Sequence, residues 1–257
     1  MEKYVLITGS LGLVGSESVN FFLKKGFKVL GIDNDKRKFF FGREGSVNSK
    51  KKLNKNNSNY KHYNIDILNF KKINSIFKQF SSKIKLIIHA AAQPSHDWAY
   101  KNPILDFDIN ARSTLHLLEC FKKYSPKSTF IFTSTNKVYG DLINSCKLKE
   151  KKTRFEIDKK SPFFKRGISE EFSIDKSVHS FFGSSKTSAD IYVQEFGKNF
   201  NLNTGIFRCG CITGENHAGT EAHGFLNYLV KQVITKKSYK IIGYKGKQVR
   251  DNIHSYD

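Results

Sequence analysis

The sequence predicts an α/β protein built on a doubly wound parallel sheet, and three observations lead to this fold class. First, apolar runs bounded by turn residues alternate with segments of helical period, as in repeated βα units. Second, the apolar run at residues 3–8 leads directly into Gly9, Gly12 and Gly15, three glycines spaced three apart. Third, Asp33 follows the next apolar run. Strand, turn, helix, strand and acid thus occur in the order of a dinucleotide-binding (Rossmann) fold.

The alternation places each element along the chain. Strands are predicted over residues 3–8, 27–32, 60–65, 84–90, 128–134 and 203–208. Helices are predicted over residues 12–25, 70–80, 104–123 and 185–200, where apolar residues recur every three or four positions. Two long connections interrupt this order. We interpret residues 34–59 as an exposed excursion and residues 141–180 as a candidate substrate lid.

The C-terminal part departs from the alternation. After residue 210 the sequence predicts a helix over 222–236 and a short strand over 239–242, the start of a smaller substrate-binding domain. The sequence ends at Asp257 before the further helices that such a domain needs, so we expect this domain to be incomplete. The predicted domains are therefore residues 1–209, which bind the dinucleotide and carry both insertions, and residues 210–257.

Composition narrows the classes of partner. The formal charge is +21, and all but seven of the 44 basic residues are lysines. These lysines are scattered through polar stretches without interleaved aromatic residues, which favours solvated faces over a nucleic-acid surface. The apolar runs fall short of the roughly 20 residues that span a bilayer, and the four cysteines lack CxxC spacing or paired histidines. We expect a cytoplasmic protein with no nucleic-acid, membrane or metal partner.

The glycine turn and the acid after it predict the cofactor. After a buried strand the chain must turn sharply, let its backbone approach a pyrophosphate and begin a helix packed against that strand, and glycine allows all three. The free N–H groups of the helix that begins near Gly12 then face the phosphates. A carboxylate at Asp33 accepts hydrogen bonds from ribose hydroxyls and repels a 2′-phosphate. The sequence therefore predicts NAD rather than NADP.

Residues after the third and fourth strands have two interpretations each. Asp66 either accepts from the adenine amino group or caps the next helix. The small residues Ala90, Ala91 and Ala92 either let a flat cofactor lie against the backbone or allow tight helix packing, and their place at the carboxyl end of a strand favours the cofactor. Trp98 either stacks on a ligand ring or anchors its own loop.

Four motifs carry a resemblance to a known family. They are Thr8 with the glycine turn, residues 89–98 (HAAAQPSHDW), residues 133–140 (TSTNKVYG) and residues 243–251 (GYKGKQVRD). Through these motifs the chain resembles the extended short-chain dehydrogenases/reductases of the NAD-dependent epimerase/dehydratase family, and within it the CDP-paratose 2-epimerase (CDP-tyvelose epimerase) branch. The resemblance covers essentially the whole chain.

The resemblance implies an NAD-dependent isomerase of nucleotide sugars. The implied reaction oxidises C2 of a CDP-3,6-dideoxyhexose to a 2-keto intermediate and reduces it on the opposite face, in the synthesis of a surface polysaccharide. Dehydration is disfavoured, because Asn136 and Lys137 replace two acids of the related dehydratases. Alternatives are a 4-epimerase or oxidoreductase acting on another nucleotide sugar, and a catalytically impaired binding protein. A homodimer formed through residues 104–123 and 185–200 is also implied.

The resemblance assigns roles to individual residues. Thr135 matches a hydroxyl donor to the substrate, and Lys186 matches the lysine that holds the nicotinamide ribose and lowers the pKa of a neighbouring base. Arg250 matches a contact to the substrate diphosphate, which suits a planar bidentate donor. The other expected substrate contacts are Ser95, His96, Asn136 and Lys137. The expected cofactor contacts are Gly9, Leu11, Gly12, Leu13, Val14, Gly15, Asp33, Asn34, Asp66, Ile67, Ala90, Ala91, Ala92, Gln93, Asn110, Thr133 and Lys186.

One position departs from the family pattern. Phe182 stands four residues before Lys186, where the superfamily has its catalytic tyrosine, and a phenyl ring carries no proton. General acid/base catalysis typically contributes about 10²–10⁴-fold. Another group replaces the tyrosine, or the protein is slow or only binds its ligands, or Phe182 is a packing residue. The candidate replacements are Tyr139, His96, His179, Cys209 and Lys186.

Overall fold

A six-stranded parallel sheet forms the centre of the protein. The computed structural model describes residues 2–53, 56–221, 223–241 and 243–257. The strands of these residues are β1 (Tyr4–Thr8), β2 (Lys28–Ile32), β3 (Tyr60–Tyr63), β4 (Ile84–His89), β5 (Thr129–Thr135), β6 (Leu148–Glu150), β7 (Phe155–Ile157), β8 (Asn203–Cys209), β9 (Cys211–Thr213) and β10 (Asn252–His254). The sheet has the order β3-β2-β1-β4-β5-β8, with all neighbours parallel. The order reverses beside β1, so a crevice opens between β1 and β4 at the carboxyl ends of the strands.

The helices fill most connections between these strands. They are α1 (Leu13–Lys24), α2 (Arg37–Phe41), α3 (Ser49–Leu53), α4 (Phe70–Phe80), α5 (His96–Lys101), α6 (Pro103–Phe107), α7 (Ser113–Tyr124), α8 (Ser180–Phe200) and α9 (Phe225–Ile234). A π-helical turn, Asp108–Arg112, joins α6 to α7. None of these helices combines the length and the apolar composition needed to cross a membrane.

Side chains on both faces of the sheet are buried, as the apolar runs of the sequence require. In β1, Leu6 lies in a large apolar cluster with residues of α4, α7 and α8. Its neighbours Val5 and Ile7 lie in a second cluster, with Val19 of α1. Successive side chains of a strand point to opposite faces, so β1 contributes to both clusters. The predicted doubly wound α/β fold is confirmed.

The predicted elements agree with the structure except near the C-terminus. All six predicted strands and all four predicted helices of the first 209 residues occur, although α8 begins at Ser180 rather than at 185. The predicted helix 222–236 corresponds to α9, and Ala222 lies outside the described residues. The strand predicted over 239–242 is wrong for residues 239–241, and Ile242 lies outside the described residues. An apolar stretch becomes a strand only beside a partner, and here β9 pairs with β10 instead.

The interpretation of residues 34–59 as an exposed excursion is confirmed only in part. The segment forms α2 and α3, Val47 is 3% exposed, and Phe40 packs against the large cluster. The segment is rich in exposed lysines such as Lys38 and Lys51, so its composition gives no sign of the buried residues. Asn54 and Lys55 lie outside the described residues. By contrast, residues 141–180 are largely exposed and contain the β6–β7 hairpin.

Candidate active site

A cavity of about 1000 Å³ opens at the carboxyl ends of the central strands. The residues that follow β1, β2, β4 and β5 line one side, and residues 210–229 line the other. Its volume lies at the upper end of the roughly 300–1,000 Å³ that ligand sites occupy. The cavity therefore has room for a large ligand where a doubly wound sheet binds one.

The turn after β1 packs so closely against the residues that follow β4 that Gly9 has no room for a side chain. Gly9 has a φ of +68°, and a Cβ there would lie 2.7 Å from the Ala91 amide nitrogen. A Cβ on Gly15 would lie 2.0 Å from the Gly9 carbonyl oxygen. Glycine is therefore required for the turn itself and for its packing against α1. The turn lines the cavity with exposed backbone at the start of α1, a cradle that fits a pyrophosphate.

Two acids lie at the ends of β2 and β3. The carboxylate of Asp33 accepts hydrogen bonds from the backbone N–H of Leu11 at 2.9 Å and of Asp35 at 2.8 Å, while burial raises its pKa. Asp66 accepts from Lys36 Nζ at 2.7 Å and from Asn34 Nδ2 at 3.1 Å. The Asn69 side chain, not Asp66, caps α4, which removes the capping interpretation of Asp66. Both carboxylates line the cavity.

A chain of buried hydrogen bonds through His89 fixes the wall between β1 and β4. The Thr114 hydroxyl donates to the Asn110 carbonyl at 2.6 Å, so His89 Nε2, at 2.8 Å, must donate its proton to that hydroxyl. His89 Nδ1 then accepts from the Thr8 hydroxyl at 2.7 Å, and Thr8 Oγ1 accepts from the Ala91 N–H at 3.2 Å. Burial lowers the pKa of His89 to about 3, so the ring stays neutral and structural.

Several predicted contacts lie behind the cavity wall rather than on it. Asn110, in the π-helical turn, is 1% exposed and donates to the Gln93 carbonyl, Asp106 and Ser185 at 3.0–3.1 Å. Gln93 is fully buried, Leu11 is 3% exposed, and Ser95 caps α5 through the Trp98 N–H. The remaining predicted cofactor contacts all line the cavity.

The predicted catalytic residues meet at the inner end of the cavity. Lys186 is 4% exposed, donates to the Thr133 carbonyl at 2.7 Å and lies 4.1 Å from the centre of the Phe132 ring. Burial lowers the pKa of Lys186 to about 7, against the attraction of nearby acids. The Thr135 hydroxyl accepts from the Lys137 N–H at 3.2 Å, which leaves its own proton free to donate. Phe182 lies beside them, with its ring edge-to-face against His96 at 4.8 Å.

A buried ion pair supports this corner from behind. Arg208 donates from Nη2 and Nε to the Asp190 carboxylate at 2.9 and 3.1 Å, and Asp190 also accepts from the Ser134 hydroxyl. The side chain of Asp190 is 1% exposed. Arg208 also donates to the Tyr139 hydroxyl at 3.0 Å. The pair thus joins β5, β8 and α8 directly behind Thr135 and Lys186.

Two cations lie together on the substrate side of the cavity. Burial lowers the pKa of Lys137, and the positive charge of Arg250 lowers it further. Arg250 is exposed and donates to Gln248 Oε1 from Nε at 2.9 Å and from Nη2 at 2.6 Å. Both cations line the cavity together with Asn136. Neighbouring cations destabilise each other unless an anion binds, and a diphosphate fits this pair.

Sequence reasoning missed a set of contacts, the clasp, that closes the cavity beside the glycine turn. Arg37 of α2 donates to the Ala218 carbonyl at 2.9 Å, and Lys50 of α3 donates to the Asn216 carbonyl and to Ser16. Arg37 also lies 3.3 Å from His223 Nδ1, and His217 lines the same wall. Arg37 and Ala218, like Lys50 and Asn216, are more than 160 residues apart, so no local pattern in the sequence reveals these two contacts.

The same segment decides the role of Trp98. Its ring packs against Phe39 at 4.9 Å and Phe40 at 5.4 Å and does not line the cavity. Of the two interpretations of this residue, the structure supports the loop anchor. The anchor fixes α2, and with it Arg37, against α5.

Comparison with known proteins places the chain in a family. A profile of the NAD dependent epimerase/dehydratase family matches residues 5–257. The chain is 32% identical to the CDP-paratose 2-epimerase of Salmonella typhi, over 98% of this chain and 71% of that protein. It is 29% identical to the UDP-glucuronate 4-epimerase of Thermodesulfobacterium geofontis, over 96% of this chain and 67% of that protein.

A solved structure agrees with these matches. A tyrosine-to-phenylalanine variant of UDP-glucuronic acid 4-epimerase from Bacillus cereus, in complex with UDP-4-deoxy-4-fluoro-glucuronic acid and NAD, is 25% identical, with a TM-score of 0.74. The match covers 98% of this chain and 69% of that one. The glycine cradle and Asp33 fit NAD, which the Bacillus cereus structure contains. The chain therefore belongs to the NAD-dependent epimerase/dehydratase family, whose members include nucleotide-sugar epimerases.

Proposed function

We propose that this protein inverts C2 of CDP-paratose, through a 2-keto intermediate, to give CDP-tyvelose. The observation that carries the proposal is the 32% identity to a CDP-paratose 2-epimerase over 98% of the chain. Asn136 and Lys137 support it, because neither residue supplies the carboxylic acid expected of a dehydratase at this place. NAD, when bound, accepts two electrons and a hydrogen from the sugar and returns them.

The residues of the cavity divide the remaining work. Lys137 and Arg250 hold the substrate diphosphate, because they are adjacent cations on the cavity wall. The Thr135 hydroxyl donates to the sugar oxygen at the carbon that reacts, and its place at the end of β5 puts it on the same cavity wall as Lys186. Lys186 adds positive charge at the inner end of the cavity, where it stabilises negative charge that develops on that oxygen. The Asp33 carboxylate holds the ribose of NAD and disfavours a 2′-phosphate.

A second candidate is epimerisation at C4 of a UDP sugar. The 29% identity to a UDP-glucuronate 4-epimerase over 96% of the chain supports it. A third candidate, a protein that binds NAD and a nucleotide sugar without converting it, is supported by Phe182 in place of tyrosine.

Proton NMR of the purified protein with NAD and a nucleotide sugar separates the three candidates. Inversion at C2 of CDP-paratose changes the coupling between H1 and H2, whereas inversion at C4 of UDP-glucuronate or UDP-glucose leaves that coupling unchanged and alters those of H4. We expect conversion of CDP-paratose alone. Conversion of a UDP sugar instead refutes the assignment to C2, and binding of every sugar with no conversion supports the third candidate.

The proposal extends to the setting of the enzyme. Large apolar side chains on α5, α6 and α8 are exposed, among them Tyr100 at 76%, Ile104 at 79% and Phe181 at 49%. Exposed apolar side chains on neighbouring helices support a homodimer through this face. Four free cysteines are consistent with a reducing cytoplasm and with surface-polysaccharide synthesis there. Residues 1–209 would bind NAD, and residues 210–257 would begin the substrate-binding domain.

A further inference from the structure

Epimerisation needs a group that takes the sugar hydroxyl proton when the ketone forms and returns it afterwards. The Phe182 ring has no exchangeable proton and is 8% exposed at the inner end of the cavity. The position that would carry a tyrosine hydroxyl therefore holds only carbon. The inference below rests on the proposed function and concerns which side chain moves this proton.

Three of the five candidate groups are committed elsewhere. The Tyr139 hydroxyl accepts from Arg208 at 3.0 Å, and Tyr139 does not line the cavity. The two ring nitrogens of His179 lie 2.9 Å from the Val138 carbonyl and 3.0 Å from the Ser177 carbonyl. Cys209 does not line the cavity, and burial raises the pKa of its thiol. None of these groups meets a sugar in the cavity.

Lys186 does line the cavity, but both of its contacts favour the ammonium form. It donates to the Thr133 carbonyl at 2.7 Å, and its Nζ lies 4.1 Å from the centre of the Phe132 ring. A carbonyl oxygen and a ring face both attract a cation and offer nothing to a neutral amine's lone pair. Burial lowers the pKa of Lys186 to about 7, but the amine is turned toward the Thr133 carbonyl, so Lys186 is placed to stabilise negative charge rather than to take the sugar proton.

His96 is the remaining candidate, and it lies next to the missing hydroxyl. Its ring meets the Phe182 ring edge-to-face at 4.8 Å and lines the cavity. Its Nδ1 lies 3.1 Å from the Ser180 hydroxyl, which also accepts from the Gly183 N–H at 3.2 Å. Ser180 has a φ of +61°, a strained conformation for serine at the start of α8. In this conformation the Ser180 hydroxyl lies within hydrogen-bond distance of the imidazole and orients it.

The contact with Ser180 permits the tautomer that a base needs, because the Ser180 oxygen can accept as well as donate. When Nδ1 donates its proton to the Ser180 oxygen, Nε2 keeps its lone pair, and within the described residues Nε2 has no hydrogen-bond partner. The titratable groups around the ring are Lys137 after β5, Asp97 of α5 and His223 of the opposite wall, and His223 is neutral because burial lowers its pKa to about 3. His96 is exposed in the open cavity, and partial desolvation and the charge of Lys137 lower its pKa, against Asp97. His96 is thus neutral at neutral pH, as a base must be.

We propose that Nε2 of His96 carries the proton that a tyrosine at position 182 would carry. The O–H bond of the C2 hydroxyl breaks as the Nε2–H bond forms, while the hydrogen on C2 leaves with two electrons to NAD. The sugar is oxidised to the ketone and the cofactor is reduced. When hydride returns to the other face of C2, Nε2 gives its proton back to the ketone oxygen. Protein and cofactor end the cycle as they began.

The test compares four proteins: wild type, His96→Gln, Phe182→Tyr and the double variant. We expect His96→Gln to lower kcat on CDP-paratose by about 10²-fold or more while bound NAD per chain stays unchanged. The decline of kcat on the acid side of its pH profile, with a midpoint below the usual histidine pKa of about 6.5, should disappear in this variant. Tyrosine at position 182 should restore at least about tenfold of the lost rate in the double variant.

A matched control is His116→Gln, because His116 stacks on Phe70 at 4.2 Å, away from the cavity, and should retain its kcat. Wild-type kcat in His96→Gln, or a double variant no faster than His96→Gln, overturns the inference. The Phe182→Tyr change should rescue only the loss of His96. If it restores the activity of Lys186→Met as well, the rescue is not specific to His96 and the assignment is overturned. A wild-type protein that converts no nucleotide sugar refutes the proposed function, and the inference falls with it.

Discussion

Replacing Asp190 by asparagine removes the negative charge that Arg208 faces behind the active site. In the native protein the carboxylate receives two hydrogen bonds from Arg208, at 2.9 and 3.1 Å, and others from Ser134 and Gln194. An asparagine keeps one oxygen acceptor and turns an NH₂ group toward the other donors. Two charge-assisted hydrogen bonds contribute about 1.5–3 kcal/mol each, and removing one partner of a buried ion pair costs about 3–5 kcal/mol. We expect the free energy of unfolding to fall by about 3–5 kcal/mol.

Urea denaturation with saturating NAD measures this loss, followed by far-UV circular dichroism and by the fluorescence of Trp98, the single tryptophan. The control is Asp108→Asn, which breaks an exposed i,i+4 pair with Arg112 and should change stability by less than about 1 kcal/mol. A double variant, Asp190→Leu with Arg208→Met, should recover most of the loss, because an apolar pair replaces a buried ion pair at little cost. An Asp190→Asn protein as stable as the control would refute our account of the pair.

Two further predictions concern buried cations. Arg37→Gln removes a guanidinium from the clasp, and we expect NAD to dissociate about 10–100-fold faster from this variant. Stopped-flow measurement or dialysis of bound NAD gives the rate, with Lys38→Gln at an exposed position as the control. Equal dissociation rates in the two variants would contradict this prediction. Burial lowers the pKa of Lys186 to about 7 in the folded protein. Between pH 7 and about 10 the lysine is therefore protonated in the unfolded chain but not in the folded one. Over this range the stability of the wild type should rise with pH relative to that of Lys186→Met. Parallel stability curves for these two proteins would contradict this prediction.

The sheet and most of the cavity could be predicted because their signals are local. The apolar run of β1, the glycines after it and Asp33 lie within a single βαβ unit, and their order alone fixes the site for NAD. Ala90, Thr133 and Lys186 follow from motifs at the strand ends and on α8. The carboxyl ends of parallel strands meet at one edge of the sheet, so residues at these ends come together whatever the packing of the helices.

The rest depends on contacts between distant segments. Arg37 and Lys50 belong to a lysine- and asparagine-rich stretch, and only residues near 217 show that part of it is buried. The apolar stretch at 239–241 has no partner strand, which composition does not reveal. The choice among five groups for the proton carrier needed hydrogen-bond partners, since Tyr139 and His179 are as suitable as His96 by residue type. The sequence predicts Asn110 as a contact to the cofactor, whereas in the structure this side chain is buried behind the cavity wall and supports it.

The clasp affects how readily the protein can exchange its cofactor with the solvent. Arg37 and Lys50 join α2 and α3 to the loop around Ala218, so an NAD molecule on the glycine cradle would have protein on both sides. An epimerase uses one NAD molecule for oxidation and reduction, so slow exchange does not limit turnover. The vulnerability lies between the two half-reactions. By the proposed route, a keto sugar that escaped would leave the reduced cofactor enclosed, and the enzyme would stay idle until another keto sugar entered. Retention of the intermediate would then set the working lifetime of the enzyme.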